Sequence, residues 1–176
     1  MRFTEAPLAG AFVVDAQRFG DARGFFSRTF CEREFRERGL NPRVAQANVS
    51  YNERRGTLRG MHYQRPPYGE AKLVRCTRGA IHDVIIDLRP GSATYLGHFA
   101  VLLDEDNRTT LYVPEGFAHG FLTLADGTEV TYQMSAEYSP DHGAGVRYDD
   151  PAFGIRWPEP VRVIVERDRT YPDFRP

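Results

Sequence analysis

Lys72 is the only lysine in a chain that carries 22 arginines. Arginine is a planar, permanently charged fork, whereas lysine is a compact point charge on a flexible stem. A single retained ammonium marks a place where a small cation must address one oxygen. It lies ten residues after His62, just past the polar stretch Leu58-Arg-Gly-Met-His-Tyr-Gln64. Histidine is the side chain best suited to general-base work near neutral pH, and lysine can stabilise an oxyanion that develops beside it. Tyrosines such as Tyr132 and Tyr138, on and after Glu129-Val-Thr-Tyr-Gln-Met-Ser-Ala-Glu-Tyr138, can return a proton from the opposite side. Gathered in one pocket, these residues would serve abstraction of a proton alpha to a carbonyl.

Short strands must position them. Val44-Ala-Gln-Ala-Asn-Val-Ser50 alternates, which places Gln46, Asn48 and Ser50 on one face. Lys72-Leu-Val-Arg-Cys-Thr77, a turn at Arg78-Gly79 and a run from Ala80 to Leu88 predict a hairpin. Further strands are predicted near 98–103, 109–113, 117–124, 128–135 and 160–166. The single good helix candidate spans about 30–38, opened by a capping box at Thr29-Phe-Cys-Glu32 and ended by Gly39. This pattern predicts an all-β sandwich or barrel with one or two short helices. Alternation puts His119 on the face of Phe117, Phe121 and Thr123, and His62 on the face of Gln64. Polar residues on the same face as apolar ones in four strands predict a lined cavity, since small barrels fill their interior or hold a ligand there.

The bulk composition narrows the classes. The chain has 176 residues and a formal net charge of −1, with arginines scattered among acidic neighbours. That fits one domain, 1–176, and argues against a nucleic-acid surface. No apolar run reaches the roughly 20 residues of a membrane span, and no secretory signal pattern opens the chain. A cytoplasmic protein with two reduced, buried cysteines, Cys31 and Cys76, is expected. His82, His98 and His142 read as surface or rim histidines.

Pro114-Glu-Gly-Phe-Ala-His119 resembles the second motif of the cupin jelly roll. Metal-binding cupins carry H-x-H in the first motif, but the matching place here reads His62-Tyr63-Gln64, and Glu70 lies beyond two prolines and a glycine. His62 and His119 leave a transition-metal ligand set incomplete. No metal and no cofactor are therefore expected.

Ten collinear pieces, from Asp21-Ala-Arg-Gly-Phe25 through Gln46-Ala-Asn48, Lys72-Leu-Val-Arg75 and Tyr138-Ser-Pro140 to Asp168, resemble the dTDP-4-dehydrorhamnose 3,5-epimerases. The resemblance implies that His62 is the general base and Asp168 the carboxylate that holds it. It further implies that Lys72 faces the C4 keto oxygen and that Tyr132 reprotonates from the other face. Arg23 and Arg59 would bind the diphosphate, and Gln46, Asn48, His119 and Tyr138 would line the sugar and nucleotide pocket. Family members are homodimers that exchange N-terminal strands, so Arg23 would serve the neighbouring subunit. The partner implied is a nucleotide-diphosphate sugar, with no role for nucleic acid or membrane.

Three positions depart from the family pattern. Arg28 and Gly143 each stand where a glutamate is usual, and Gln133 follows the acid tyrosine where lysine is common. The resulting expectation is metal-independent epimerisation at C3, C5 or both of a 4-keto-6-deoxy sugar, with a CDP-, GDP- or UDP-linked substrate as the alternative. Two other classes remain open at this point, a metal-dependent cupin oxygenase and a catalytically silent sugar-nucleotide binder.

Overall fold

The computed structural model describes residues 1–175, and the expected domain 1–176 ends one residue beyond them. The thirteen strands among the described residues are numbered in chain order. One antiparallel sheet runs β1 (Arg2–Glu5), β2 (Phe12–Asp15), β10 (Thr110–Val113), β7 (Lys72–Arg78), β12 (Thr128–Met134), β5 (Gln46–Asn52). The other runs β13 (Gly143–Gly145), β6 (Leu58–Gln64), β11 (Phe117–Thr123), β8 (Ala80–Asp87), β9 (His98–Asp104). A separate hairpin pairs β3 (Arg18–Asp21) with β4 (Gly24–Ser27), and the helices are α1 (Glu32–Arg36) and α2 (Glu166–Arg169). This is the all-β, cupin-type jelly roll. No helix among the described residues is long and apolar enough to cross a membrane.

The two sheets close on each other through side chains of alternating strand positions. Val74 and Cys76 of β7 and Val130 of β12 meet Ile81 and Ile85 of β8 and Phe117 and Phe121 of β11, all buried. Each such side chain contributes roughly 1.5–3 kcal/mol by leaving water. The same inward rows then turn polar. Lys72 lies two positions before Val74, Tyr132 two positions after Val130, and His119 between Phe117 and Phe121. The core and the polar cavity are thus consecutive stretches of the same strands.

Glycine allows the two histidine-bearing strands to touch. Gly60 sits at φ +140°, and a Cβ there would come within 2.5 Å of the Gly120 Cα. A Cβ on Gly120 would in turn meet the Met61 sulfur at 2.6 Å. The pairing of β6 with β11 shifts register between His119 and Phe121, and it sets His62 directly opposite His119.

Several expectations are corrected. β7 and β8 do not pair. The chain turns at Gly79 (φ +77°) and crosses from one sheet to the other, so a corner of the sandwich carries the turn chemistry of a hairpin. The stretch 160–166 is not a strand: it holds one isolated bridge, Val163 to Thr57, and leads into α2. α1 is capped at Cys31 with no side-chain hydrogen bond, so the Thr29 capping box does not form. Phe35 instead anchors the helix against Phe3, Phe30 and Tyr112, and Gly39 at φ +69° ends it. Both cysteines are free, but only Cys76 is buried, its thiol pushed up to about 12 by desolvation, while Cys31 is half-buried. No periodic signal announces β1 to β4, because β1, β3 and β4 are largely exposed and lack a buried alternating face; only the family resemblance implies N-terminal strands.

Candidate active site

One cleft runs between the sheets in two lobes that share His62, Lys72, Tyr132 and Arg167. The first lobe, about 550 Å³, adds Ser50, Arg59, His119, Phe121 and Asp168. The second, about 610 Å³, adds Gln46, Asn48, Gln64, Glu70, Tyr138 and Tyr171. Each is large enough for part of a cofactor-sized ligand. The four shared residues form the waist.

His62 enters from β6. Its Nε2 lies 2.8 Å from Asp168 Oδ1, and the neutral tautomer donates its proton there. Asp168 Oδ2 accepts from the Gly60 backbone N–H at 3.2 Å, and Oδ1 also accepts from Arg167 Nε at 3.1 Å. Burial alone would push the Asp168 carboxyl up, but these donors and the facing imidazole hold it below its usual range. The carboxylate therefore stays ionised and fixes the imidazole tautomer. That leaves Nδ1 without a hydrogen-bond partner among the described residues, on a ring that lines the cleft. The ring edge also meets Tyr171, with centroids 6.4 Å apart. Tyr171 can lie there because Gly145 has no side chain: a Cβ would fall 2.3 Å from the phenol ring.

Lys72 and Tyr132 enter from the facing sheet, on β7 and β12. The lysine side chain is 9% exposed, and its Nζ donates to Glu70 Oε1 at 3.0 Å and to the His62 carbonyl at 3.3 Å. Tyr132 packs against the core, and burial pushes its phenol up, with Arg59 opposing and Glu70 reinforcing the shift. It is a protonated donor throughout the neutral range. His119 is buried on β11, its Nε2 2.5 Å from Asp83 Oδ1.

The remaining expected residues fall as follows. Gln46 Oε1 accepts the Tyr138 backbone N–H, tying β5 to the loop after β12. Asn48 Nδ2 faces Met134 Sδ at 3.1 Å. Arg59 Nε donates to Asn52 Oδ1 at 2.7 Å, which aims its exposed guanidinium along the first lobe. Tyr138 is 56% exposed at the mouth of the second. Arg23 is not brought to the cleft: it sits on the β3–β4 turn, 89% exposed and paired with Asp21 at 2.6 Å. Arg28, where a glutamate is usual, pairs with Glu34 at 3.4 Å.

Four contributors were missed or misread. Asp83 was legible in principle as a charge inside the apolar run Ala80–Asp87, a placement that demands a partner. In the sequence Glu70 stands out only as a candidate metal carboxylate. Arg167 and Tyr171 stand in an irregular tail that carries no periodic signal.

The residues present do not assemble a metal centre. Among the described residues, no three His, Cys, Asp or Glu side chains gather as ligands. His62 and His119 each commit Nε2 to a carboxylate. Gln64, at the place of a second cupin histidine, is spent on backbone: Nε2 donates to the carbonyls of Tyr68 and Glu137, and Oε1 accepts the Ser139 N–H.

Comparison with known proteins places the sequence and the fold. Residues 5–176 match the sequence family described as dTDP-4-dehydrorhamnose 3,5-epimerase. The enzyme of that name from Sinorhizobium fredii is 42% identical over 175 residues, covering 99% of this chain and 90% of its own. The Bacillus anthracis epimerase, solved with TDP and PPi bound, superimposes with a TM-score of 0.94 at 38% identity, covering 98% of this chain and 99% of that one. A 3'-monoepimerase from Streptomyces bikiniensis, solved with dTDP-quinovose, gives 0.87 at 34%, covering 96% and 85%. The jelly roll, the cleft with its facing histidine and tyrosine, and a match spanning nearly the whole sequence converge: this chain belongs to the dTDP-4-dehydrorhamnose 3,5-epimerase family of nucleotide-sugar isomerases.

Proposed function

We propose that His62 is the base and Tyr132 the acid of a 4-keto-6-deoxy sugar epimerase, with Lys72 as the enolate's cation. One observation carries the assignment. The base projects from one sheet and the phenol from the other into the same waist, so a sugar ring lying between them meets base and acid on opposite faces. His62 removes the proton from the carbon next to the keto group. The electron pair moves onto the C4 oxygen, where the Lys72 ammonium stabilises the negative charge. Tyr132 then protonates the carbon from the far face, and the centre is inverted. Asp168 keeps the imidazole oriented and balances the charge it gains.

Arg59 binds the diphosphate through charge-assisted bonds, and Gln46, Asn48, His119 and Tyr138 line the ends of the cleft. The whole chain acts as one jelly-roll domain, and it acts as a homodimer. Phe19, Phe25 and Phe26 of the β3–β4 hairpin are exposed, and β5 is an unpaired sheet edge; both features favour exchange of this hairpin onto a second copy, which would deliver Arg23 to the other site. The thymidine nucleotides bound in the related structures favour a dTDP-linked substrate, and Arg28 is the position at which a different base would be read.

The test is a panel of dTDP-, UDP-, GDP- and CDP-linked 4-keto-6-deoxyglucose in deuterated water, read by NMR at C3 and C5. Exchange with inversion at one or both carbons, fastest for one nucleotide, is expected. Absence of exchange with every member would overturn the reading.

A further inference from the structure

Glu70 has no assigned role, yet it holds the residue on which the enolate depends. Its side chain is 5% exposed and lies in the wall of the second lobe. One carboxylate oxygen meets Lys72 Nζ at 3.0 Å. The other, Oε2, is buried without a hydrogen-bond partner among the described residues. A buried carboxylate is costly unless paired, and here the lysine is its pairing.

The donor count shows what the pairing does. A lysine ammonium has three N–H donors and no acceptor. One is taken by Glu70 and one by the His62 carbonyl. The third is left for the cleft. The flexible stem of lysine offers many rotamers, and without a fixed acceptor the charge would wander through a cavity that is partly wet. Proline and glycine precede the glutamate in Pro66-Pro-Tyr-Gly-Glu70. The strand β7 then begins at Lys72, with the Ala71 N–H bonded to Ser135 Oγ at 2.8 Å. The acceptor is thus mounted on restrained backbone two residues from its donor.

We propose that Glu70 is a positioning residue that orients the Lys72 ammonium, so that its one uncommitted N–H meets the keto oxygen. The proposal rests on the epimerase reading for its consequence but not for its geometry, and the two can be tested separately. Because the chain has a single lysine, lysine labelled with ¹⁵N at Nζ gives one side-chain signal, free of overlap. In the parent protein that ammonium is expected to be well ordered and to exchange slowly with water. Glu70→Leu is expected to release it, with solvent exchange about tenfold or more faster. Glu70→Gln, which keeps an acceptor oxygen, is expected to stay near the parent.

In turnover, Glu70→Leu should lower kcat by about 10- to 100-fold, the worth of a charge-assisted hydrogen bond, with little change in KM and rescue by Glu70→Gln. In a Lys72→Ala background the same change should cost nothing further. A Lys72 signal that is unchanged in correctly folded Glu70→Leu overturns the proposal, as does an equal loss in both backgrounds. Lack of sugar exchange in the parent protein would instead sink the epimerase reading, while the lysine signal still decides the role of Glu70.

Discussion

At the scale of single residues, the cleft sorts its side chains by whether charge must be mobile or fixed. Lys72 shows this most directly, since a guanidinium would carry equal charge in a wider, forked shape. Lys72→Arg is therefore expected to lower turnover by roughly 10²–10³, as for loss of an oxyanion donor, measured as kcat on the preferred sugar nucleotide. Near-normal rate would make the lone lysine an accident of composition. Asp168 carries a different, thermodynamic signature. Its carboxyl is held below the usual 3.8, so its ionised form stabilises the fold above about pH 4, and that contribution is lost as pH falls through the depressed value. Asp168→Asn should narrow the drop in denaturation midpoint between pH 7 and pH 3; an unchanged drop would contradict the assigned partners. His62, Lys72 and Tyr132 were legible because their chemistry is rare and their spacing distinctive. Arg167 and Tyr171 were not, because an arginine and a tyrosine in an irregular tail have no periodicity to betray where they point.

At the scale of elements, the strands explain why site and core coexist. Inward positions of β7 and β12 run from apolar to polar within four residues, so the strand that builds the core also presents a polar group to the cleft. Alternation in β5 was read correctly, with Gln46, Asn48 and Ser50 inward and Val49 left 61% exposed. The Arg78-Gly79 corner was misread because a tight glycine turn looks the same whether it joins paired strands or carries the chain between sheets. Contact between β6 and β11 depends on glycine. Gly120→Ala would drive a methyl against Met61 and the Arg59 carbonyl, at 2.6 and 2.7 Å. A loss of about 1–3 kcal/mol is expected, read from denaturant unfolding, with activity falling further as His62 and His119 are pushed apart. An alanine variant of parental stability would show that the close approach is not required.

At the scale of the molecule, the two sheets line opposite sides of one cleft, and the proposed homodimer would carry the exposed β3–β4 hairpin to a second copy. Arg23 stands on an exposed hairpin, away from its own cleft. If it completes the partner's site, inactive Arg23→Ala and inactive His62→Ala subunits should regain activity when mixed and allowed to exchange, because one site of each mixed dimer is then intact; failure to regain it would place Arg23 outside the site. The jelly roll and the cleft were legible from strand spacing and shared polar faces, whereas the hairpin was not, since nothing in one chain's burial pattern selects for it. The most direct test of the account separates the sheets' two contributions. In deuterated water, Tyr132→Phe is expected to exchange substrate hydrogen for deuterium while forming little epimer, since His62 still makes the enolate and a proton returns from the same face. His62→Ala should lose both exchange and inversion. Undiminished inversion in Tyr132→Phe would contradict a base and an acid set on opposite sheets.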